Sequence, residues 1–170
     1  FFPTLGAIVI MLYSIIQLRR GKSREEIRPH YRWIALGVSM ITFFLSLGFL
    51  FGFDTAKSGP QLVTKVMWIE ERGVFYYIGV DGISLWLVLL TTFLVPGAVM
   101  ASWTFAKRVH ELMIFILILE TGMIGVFVSF DLFLFYLFWE IVLIPMYFLI
   151  GIWGYDQRIY AAIKFILYTM

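Results

Sequence analysis

Cysteine is absent from all 170 residues. That excludes thiolate ligands for a metal cluster, a zinc ribbon and any disulfide framework built within this chain. Charge is scarce as well: Asp, Glu, Lys and Arg together make up 14%, against about a quarter in soluble domains. The two histidines, His30 and His110, each sit beside charged residues and lie far apart in sequence. Their placement argues against bis-histidine haem ligation within one helix.

What fills the chain instead is apolar. Hydrophobic residues account for 62% and aromatic residues for 19%, with a mean hydropathy of +0.93. The charges cluster and leave apolar runs of about 20 residues, the length of one crossing of a hydrocarbon core. The chain therefore reads as all-α, a polytopic transmembrane helical bundle with five full spans plus the start of a sixth. It begins at Phe1 rather than Met and ends at Met170 inside an apolar run, so the sequence reads as part of a longer protein.

The first span is expected over residues 2–18, closed by Arg19-Arg20-Gly21-Lys22. It has no basic region before it and no small-residue cleavage site after it, which favours a retained helix over a signal peptide. The loop RRGKSREEIRPHYR carries six Lys and Arg residues. It reads as a cytoplasmic topology signal, with a lipid-headgroup or nucleic-acid patch as the alternative. The second span, residues 33–53, opens on Trp33 and offers Gly37, Ser39, Ser46 and Gly48 as a small-residue contact face. The hydrophilic stretch 54–78 is rich in β-branched and aromatic residues around its middle, which suits a short extracytoplasmic strand or hairpin.

Asp81, followed by Gly82 and Ser84, suits the N-cap of the third span at 83–103, where Pro96-Gly97 predicts a kink. A short basic loop, 104–110, follows. The apolar block 112–154 is too long for one crossing, so a tight turn at 129–131 must divide it, with Asp131 capping the fifth span. Loops 1–2, 3–4 and 5–6 hold six, two and one Lys or Arg, and loops 2–3 and 4–5 hold three and none. That asymmetry predicts an outward-facing N-terminus.

Two carboxylates fall inside spans. Glu140 stands in DLFLFYLFWEIVLIPMYFLIGIWG, five residues before Pro145. A charge at mid-membrane costs roughly 3 kcal/mol by insertion scales, so a functional role is the first expectation. Pro145 has no N–H and leaves the carbonyl of Ile141 without its helical donor, which opens a turn next to the carboxylate. Tyr136, four residues earlier, and Tyr147, seven residues later, share the Glu140 side of the helix. A carboxylate beside a loosened turn suits a proton relay; the bland alternative is a structural Glu with one interhelical bond. Glu120, next to Thr121 and Gly122, is either a second proton-carrying carboxylate or a buried, protonated Glu bonded to a neighbouring helix. Lys164, six residues after Arg158, either snorkels to the cytoplasmic interface or exchanges a proton from an apolar site.

Three segments carry a resemblance. They are GVDGISLWLVLLTTFLVP (79–96), LETGMIGVFVSFDLFLFYLFWEIVLIPMYFLIGIWG (119–154) and RIYAAIKFILYTM (158–170). Together they resemble the antiporter-like membrane subunits, chain M or chain 4 in type, of proton-pumping NADH–quinone oxidoreductase, respiratory complex I. The first 78 residues are similar only in hydropathy. The resemblance implies a fold of about fourteen helices with inverted repeats, of which this chain holds the N-terminal portion. It divides the chain into 1–78, a two-helix region with an extracytoplasmic loop, and 79–170, the start of the proton-translocating region. It further implies that Glu140 matches an essential fifth-helix glutamate whose partner lysine on the seventh helix lies beyond Met170. Lys164 matches the sixth-helix lysine, and Glu120 a position where glutamate is common.

No nucleotide loop, flavin motif or iron–sulfur ligand set is visible in the chain. By the resemblance, NADH, FMN, iron–sulfur clusters and quinone belong to other subunits, and no cofactor to this one. The implied partners are the other membrane subunits of the complex, including neighbouring antiporter-like ones, and the lipid bilayer, with no nucleic acid. The implied place is a bacterial cell (inner) membrane, ahead of a mitochondrial or plastid one. A cation/proton antiporter or membrane-bound hydrogenase subunit of the same fold is the alternative. A purely structural membrane module, with Glu140 and Lys164 as packing elements, stands behind both.

Overall fold

A computed structural model describes residues 1–21, 23–57 and 59–170; Lys22, counted above in the basic loop, lies outside them. Among the described residues six α-helices and one hairpin follow in order. They are α1 (Phe2–Arg19), α2 (Arg24–Gly52), β1 (Gln61–Ile69), β2 (Val74–Val80), α3 (Gly82–Ala101), α4 (Val109–Val128), α5 (Leu132–Trp153) and α6 (Arg158–Thr169). Helices α1 to α5 are each long and apolar enough to cross a membrane, so the chain is a multi-pass helical membrane protein.

The largest departure from the sequence expectation is the start of α2. The helix begins at Arg24, nine residues before Trp33, because Ser23 and Glu26 form a reciprocal capping box. Nine of the fourteen residues of the apparent loop are thereby helical. Ile27, Tyr31 and Ala35, spaced by four, are buried against the rest of the core. At about 1.5 Å per residue the helix is longer than the roughly 30 Å hydrocarbon layer, so its first turns project beyond it.

The core is a seam of Ala7 and Ile10 from α1, Ile27, Tyr31 and Ala35 from α2, Val95 and Val99 from α3, and Leu112, Met113 and Leu117 from α4. Hydroxyl pairs pin it: Thr4 donates to Thr121 at 2.8 Å, and Ser46 bonds Thr92 at 2.7 Å. Ser39 and Ser46 are buried as the small-residue face requires. Gly37 and Gly48 are not part of that contact; they face outward with nothing near a Cβ position.

The expected hairpin forms. β1 and β2 pair antiparallel around a turn in which Gly73 takes φ 63°, a left-handed conformation that glycine adopts without strain. The hairpin also holds the α4–α5 turn. Phe130 N–H donates to the Tyr77 carbonyl at 2.9 Å, and Phe75 N–H donates to the Asp131 carboxylate at 3.2 Å. At the other end, Arg32 donates to the Phe105 carbonyl at 2.8 Å and the Trp153 indole to the Lys107 carbonyl at 2.9 Å. The two sets of ties place loops 2–3 and 4–5 at one end of the bundle and loops 1–2 and 3–4 at the opposite end.

Candidate functional site

The α4–α5 pair presents both intramembrane carboxylates. Asp131 starts α5 as the spacing predicts, accepting from Phe133 N–H at 2.9 Å and Leu134 N–H at 3.2 Å. Asp81 does the same for α3, accepting from Ile83 N–H at 3.0 Å and Ser84 N–H at 2.7 Å. The Ser84 amide, above all, holds the Asp81 carboxyl below its ordinary value of 3.8. Capping accounts for Asp81, and capping together with the bond from Phe75 N–H accounts for Asp131.

Helices α4 and α5 pack through two glycines. A Cβ on Gly122 would meet Val142 at 2.7 Å, and one on Gly125 would run into the ring of Phe138. These contacts fix the azimuth of everything else on the two helices. Residues two apart on a helix point about 160–200° apart. Glu120 therefore faces away from α5, and Glu140, two residues from Phe138 and Val142, faces away from α4. Antiparallel pairing of Gly122 with Val142 and Gly125 with Phe138 also sets depth. Glu120 falls opposite position 143 or 144, within about 6 Å of Glu140 along the axis. The two carboxylates share a depth and look in opposite directions.

Their surroundings differ accordingly. Glu120 is 0% exposed. It continues the buried stripe Met113, Ile116, Leu117 toward α1, α2 and α3, and neither of its oxygens has a hydrogen-bond partner. Among the described residues neither oxygen finds the interhelical bond that one of the two readings expects. Glu140 is half-buried, with Oε1 enclosed and unpartnered. Tyr136, four residues earlier and 55% exposed, lies on the same face. Tyr147, half-buried, lies on that side too. Pro145 is fully buried on the α4-facing side with Phe138, so the backbone it opens lies behind Glu140.

Lys164 is exposed on α6, its ammonium 5.8 Å from the ring of Tyr160 and 5.7 Å from that of Tyr168. Helix α6 packs on α5 through Ala162, which lies 3.7 Å from a Cβ built on Gly151. Lys164 is two residues further on and points away from α5. From that contact, Lys164 sits about nine residues short of the Glu140 level, roughly 13 Å along the axis. Among the described residues no ion pair joins Glu140 and Lys164.

Sequence reasoning missed Gly122, Gly125 and their α5 partners, although Gly-x-x-Gly in an apolar span is a readable small-residue signal. It also missed the Thr4–Thr121 bond and the tie from Arg32 to the α3–α4 loop. Among the described residues no group of three or more His, Asp or Glu side chains could hold a metal ion.

Residues 129–170 match the family described as NADH:quinone oxidoreductase/Mrp antiporter, transmembrane. Across 169 residues, 99% of the chain, the sequence is 48% identical to NADH-quinone oxidoreductase subunit M of Rhodobacter capsulatus. Over 170 residues, 99% of the chain, it is 38% identical to NAD(P)H-quinone oxidoreductase chain 4 of Prochlorococcus marinus. Over 163 residues, 95% of the chain, it is 36% identical to the Rickettsia typhi subunit M. The aligned stretch thus takes in nearly all of the first 78 residues as well. The chain spans about a third of these relatives, 31%, 30% and 33% of their lengths respectively.

Proposed function

We propose, for a chain that belongs to the antiporter-like membrane family of NADH:quinone oxidoreductases and Mrp antiporters, that it works in the membrane arm of NADH:quinone oxidoreductase and moves protons across the membrane. NADH oxidation and quinone reduction, with the FMN and iron–sulfur centres they need, take place in other subunits, which are its partners. Support comes from identity over nearly the whole chain to proteins named subunit M and chain 4. The structural observation that carries the reading is Glu140: a carboxylate in the middle of a span, with one oxygen buried and unpartnered. Such a group is retained at a cost of several kcal/mol where proton chemistry needs it.

In this reading Glu140 takes up and releases the proton. Tyr136 hydrogen-bonds one of its states, and the turn opened by Pro145 gives water or a polar partner a place behind it. Its charge partner is a basic group outside residues 1–170. Lys164 acts nearer the cytoplasmic interface, where its charge biases proton entry without an ion pair to Glu140. Glu120 has the lesser part, a proton-holding carboxyl on the far side of α4. Residues 1–78 form a two-helix region with its hairpin, and 79–170 begin the translocating unit. The excess of Lys and Arg at the loop 1–2 and 3–4 end favours a cytoplasmic location for that end, in a bacterial cell membrane with the N-terminus outside.

The matching family also includes Mrp antiporters, which makes a cation/proton antiporter the second reading. Co-purification separates the two. A flavin and iron–sulfur arm that stays with the full-length protein through purification supports the first reading, and a preparation that exchanges cations for protons without such an arm supports the second.

A further inference from the structure

We infer that the outward seam between α2 and α3 is a binding site for one anionic phospholipid, with its phosphate on Arg32 and an acyl chain in a groove floored by Gly37 and Gly97. The inference starts from Arg32. Its guanidinium donates to the Phe105 carbonyl at 2.8 Å and lies 5.8 Å from the centre of the Trp103 ring. Its Nε is buried without a hydrogen-bond partner. Among the described residues no carboxylate lies within ion-pair distance of Arg32; the acid in the first turn of α4, Glu111, is engaged by Arg108 and His110. The guanidinium is thus uncompensated, and its outer edge, away from the enclosed Nε, suits a phosphate oxygen.

What lies beside it is apolar and shaped. Trp33, 64% exposed, meets Trp103 edge-on at 5.3 Å, as tryptophans do at the level of lipid headgroups. Deeper along the same seam Phe43 contacts Phe93 at 5.7 Å, and Phe44 and Phe93 are exposed beside them. Gly37 and Gly97 lie between these two aromatic steps. Neither has a heavy atom within 4 Å of where a Cβ would stand, so the helix surface there is open. On a helix Trp33, Gly37, Met40 and Phe44 fall on one face, and so do Phe93, Gly97 and Met100. The two open glycines thus form a track of small residues below Arg32, between the Trp33–Trp103 and Phe43–Phe93 pairs. Lys107, exposed and two residues from Phe105 on the adjoining loop, adds positive charge to this end of the bundle, which favours an anionic headgroup over a zwitterionic one.

The test uses the full-length protein in its purified complex, reconstituted in phosphatidylcholine bilayers. The probe is phosphatidylglycerol with a photoactivatable group on one acyl chain, and cross-linked peptides are mapped. Adducts are expected on the peptides holding Gly37 to Phe44 and Phe93 to Trp103. Arg32→Gln should reduce them about fivefold, the effect of removing one basic contact at a membrane surface. A matching phosphatidylcholine probe should label these peptides weakly in both proteins, and excess inorganic phosphate should not displace the lipid. Gly37→Leu, which fills open space and keeps Arg32, should also reduce labelling and serves if Arg32→Gln does not assemble. Equal labelling of wild type and both variants, equal labelling by the two lipids, displacement by phosphate, or no labelling of the seam would each overturn the site.

Discussion

Glu120 and Glu140 lie within about one helical turn of each other in depth and meet opposite fates. Glu120 is sealed among α1, α2 and α3, both oxygens unpartnered and none of it exposed. Glu140 stands half-buried on the outer side of α5, with Tyr136 beside it and a proline turn behind. The same residue type in two apolar spans is thus given different surroundings by azimuth alone, and azimuth is set by two glycines. Titratable groups matter for transport where a route reaches them, and only one of these two has a face directed out of the packed seam.

The comparison breaks most sharply at Glu140. Glu140→Gln keeps the shape and removes the titratable proton, and should lower NADH-driven proton pumping of assembled complex by about a hundredfold. Glu140→Asp should retain part of the activity; complete loss would mean that geometry, not titration, limits the site. Quenching of a pH-sensitive dye in vesicles reads both. Next comes the packing that separates the two carboxylates. Gly125→Leu drives a side chain into Phe138, and should cost about 1–3 kcal/mol or more by overpacking. Lower yield of assembled complex and a lower thermal midpoint would register it.

Glu120 should respond in the opposite sense. Glu120→Gln should keep most of the pumping. Glu120→Leu, which removes an orphaned polar group of similar volume, should raise thermal stability by on the order of 1 kcal/mol. A pumping loss in Glu120→Gln as deep as that in Glu140→Gln would erase the distinction. The smallest effect is at the rim. The folded-state Asp81 carboxyl is held below its ordinary value of 3.8, so its capping contribution is fully present above that value and lost as pH falls through the lower folded-state value. Hydrogen exchange at the Ile83 and Ser84 amides should accelerate there and nowhere near neutral pH. Asp81→Ala should accelerate it at all pH values, at a cost of about 1 kcal/mol.

How much of this could be read in the sequence depends on whether the determinant is local. Asp81 and Asp131 were legible because an N-cap is a matter of two or three neighbouring residues. The hairpin was legible from its β-branched and aromatic run. The start of α2 was hidden because six basic residues look like a loop, while the Ser23–Glu26 box that nucleates the helix is only four residues long. The opposed directions of Glu120 and Glu140 were not legible at all. Both lie on featureless apolar helices, and only the fit of Gly122 to Val142 and Gly125 to Phe138 says which side of each helix is inside. Lys164 shows the same limit: sequence places it one helix from Glu140, whereas the Gly151–Ala162 contact sets the two about 13 Å apart in depth and facing differently.

The account's central claim is that Glu140, and not Glu120, changes protonation during turnover. Infrared difference spectroscopy of the assembled complex under NADH addition reads this directly in the carboxyl stretching region. A turnover-dependent carboxyl band that disappears in Glu140→Gln and survives in Glu120→Gln is the predicted result. A band that survives in Glu140→Gln and disappears in Glu120→Gln would contradict it.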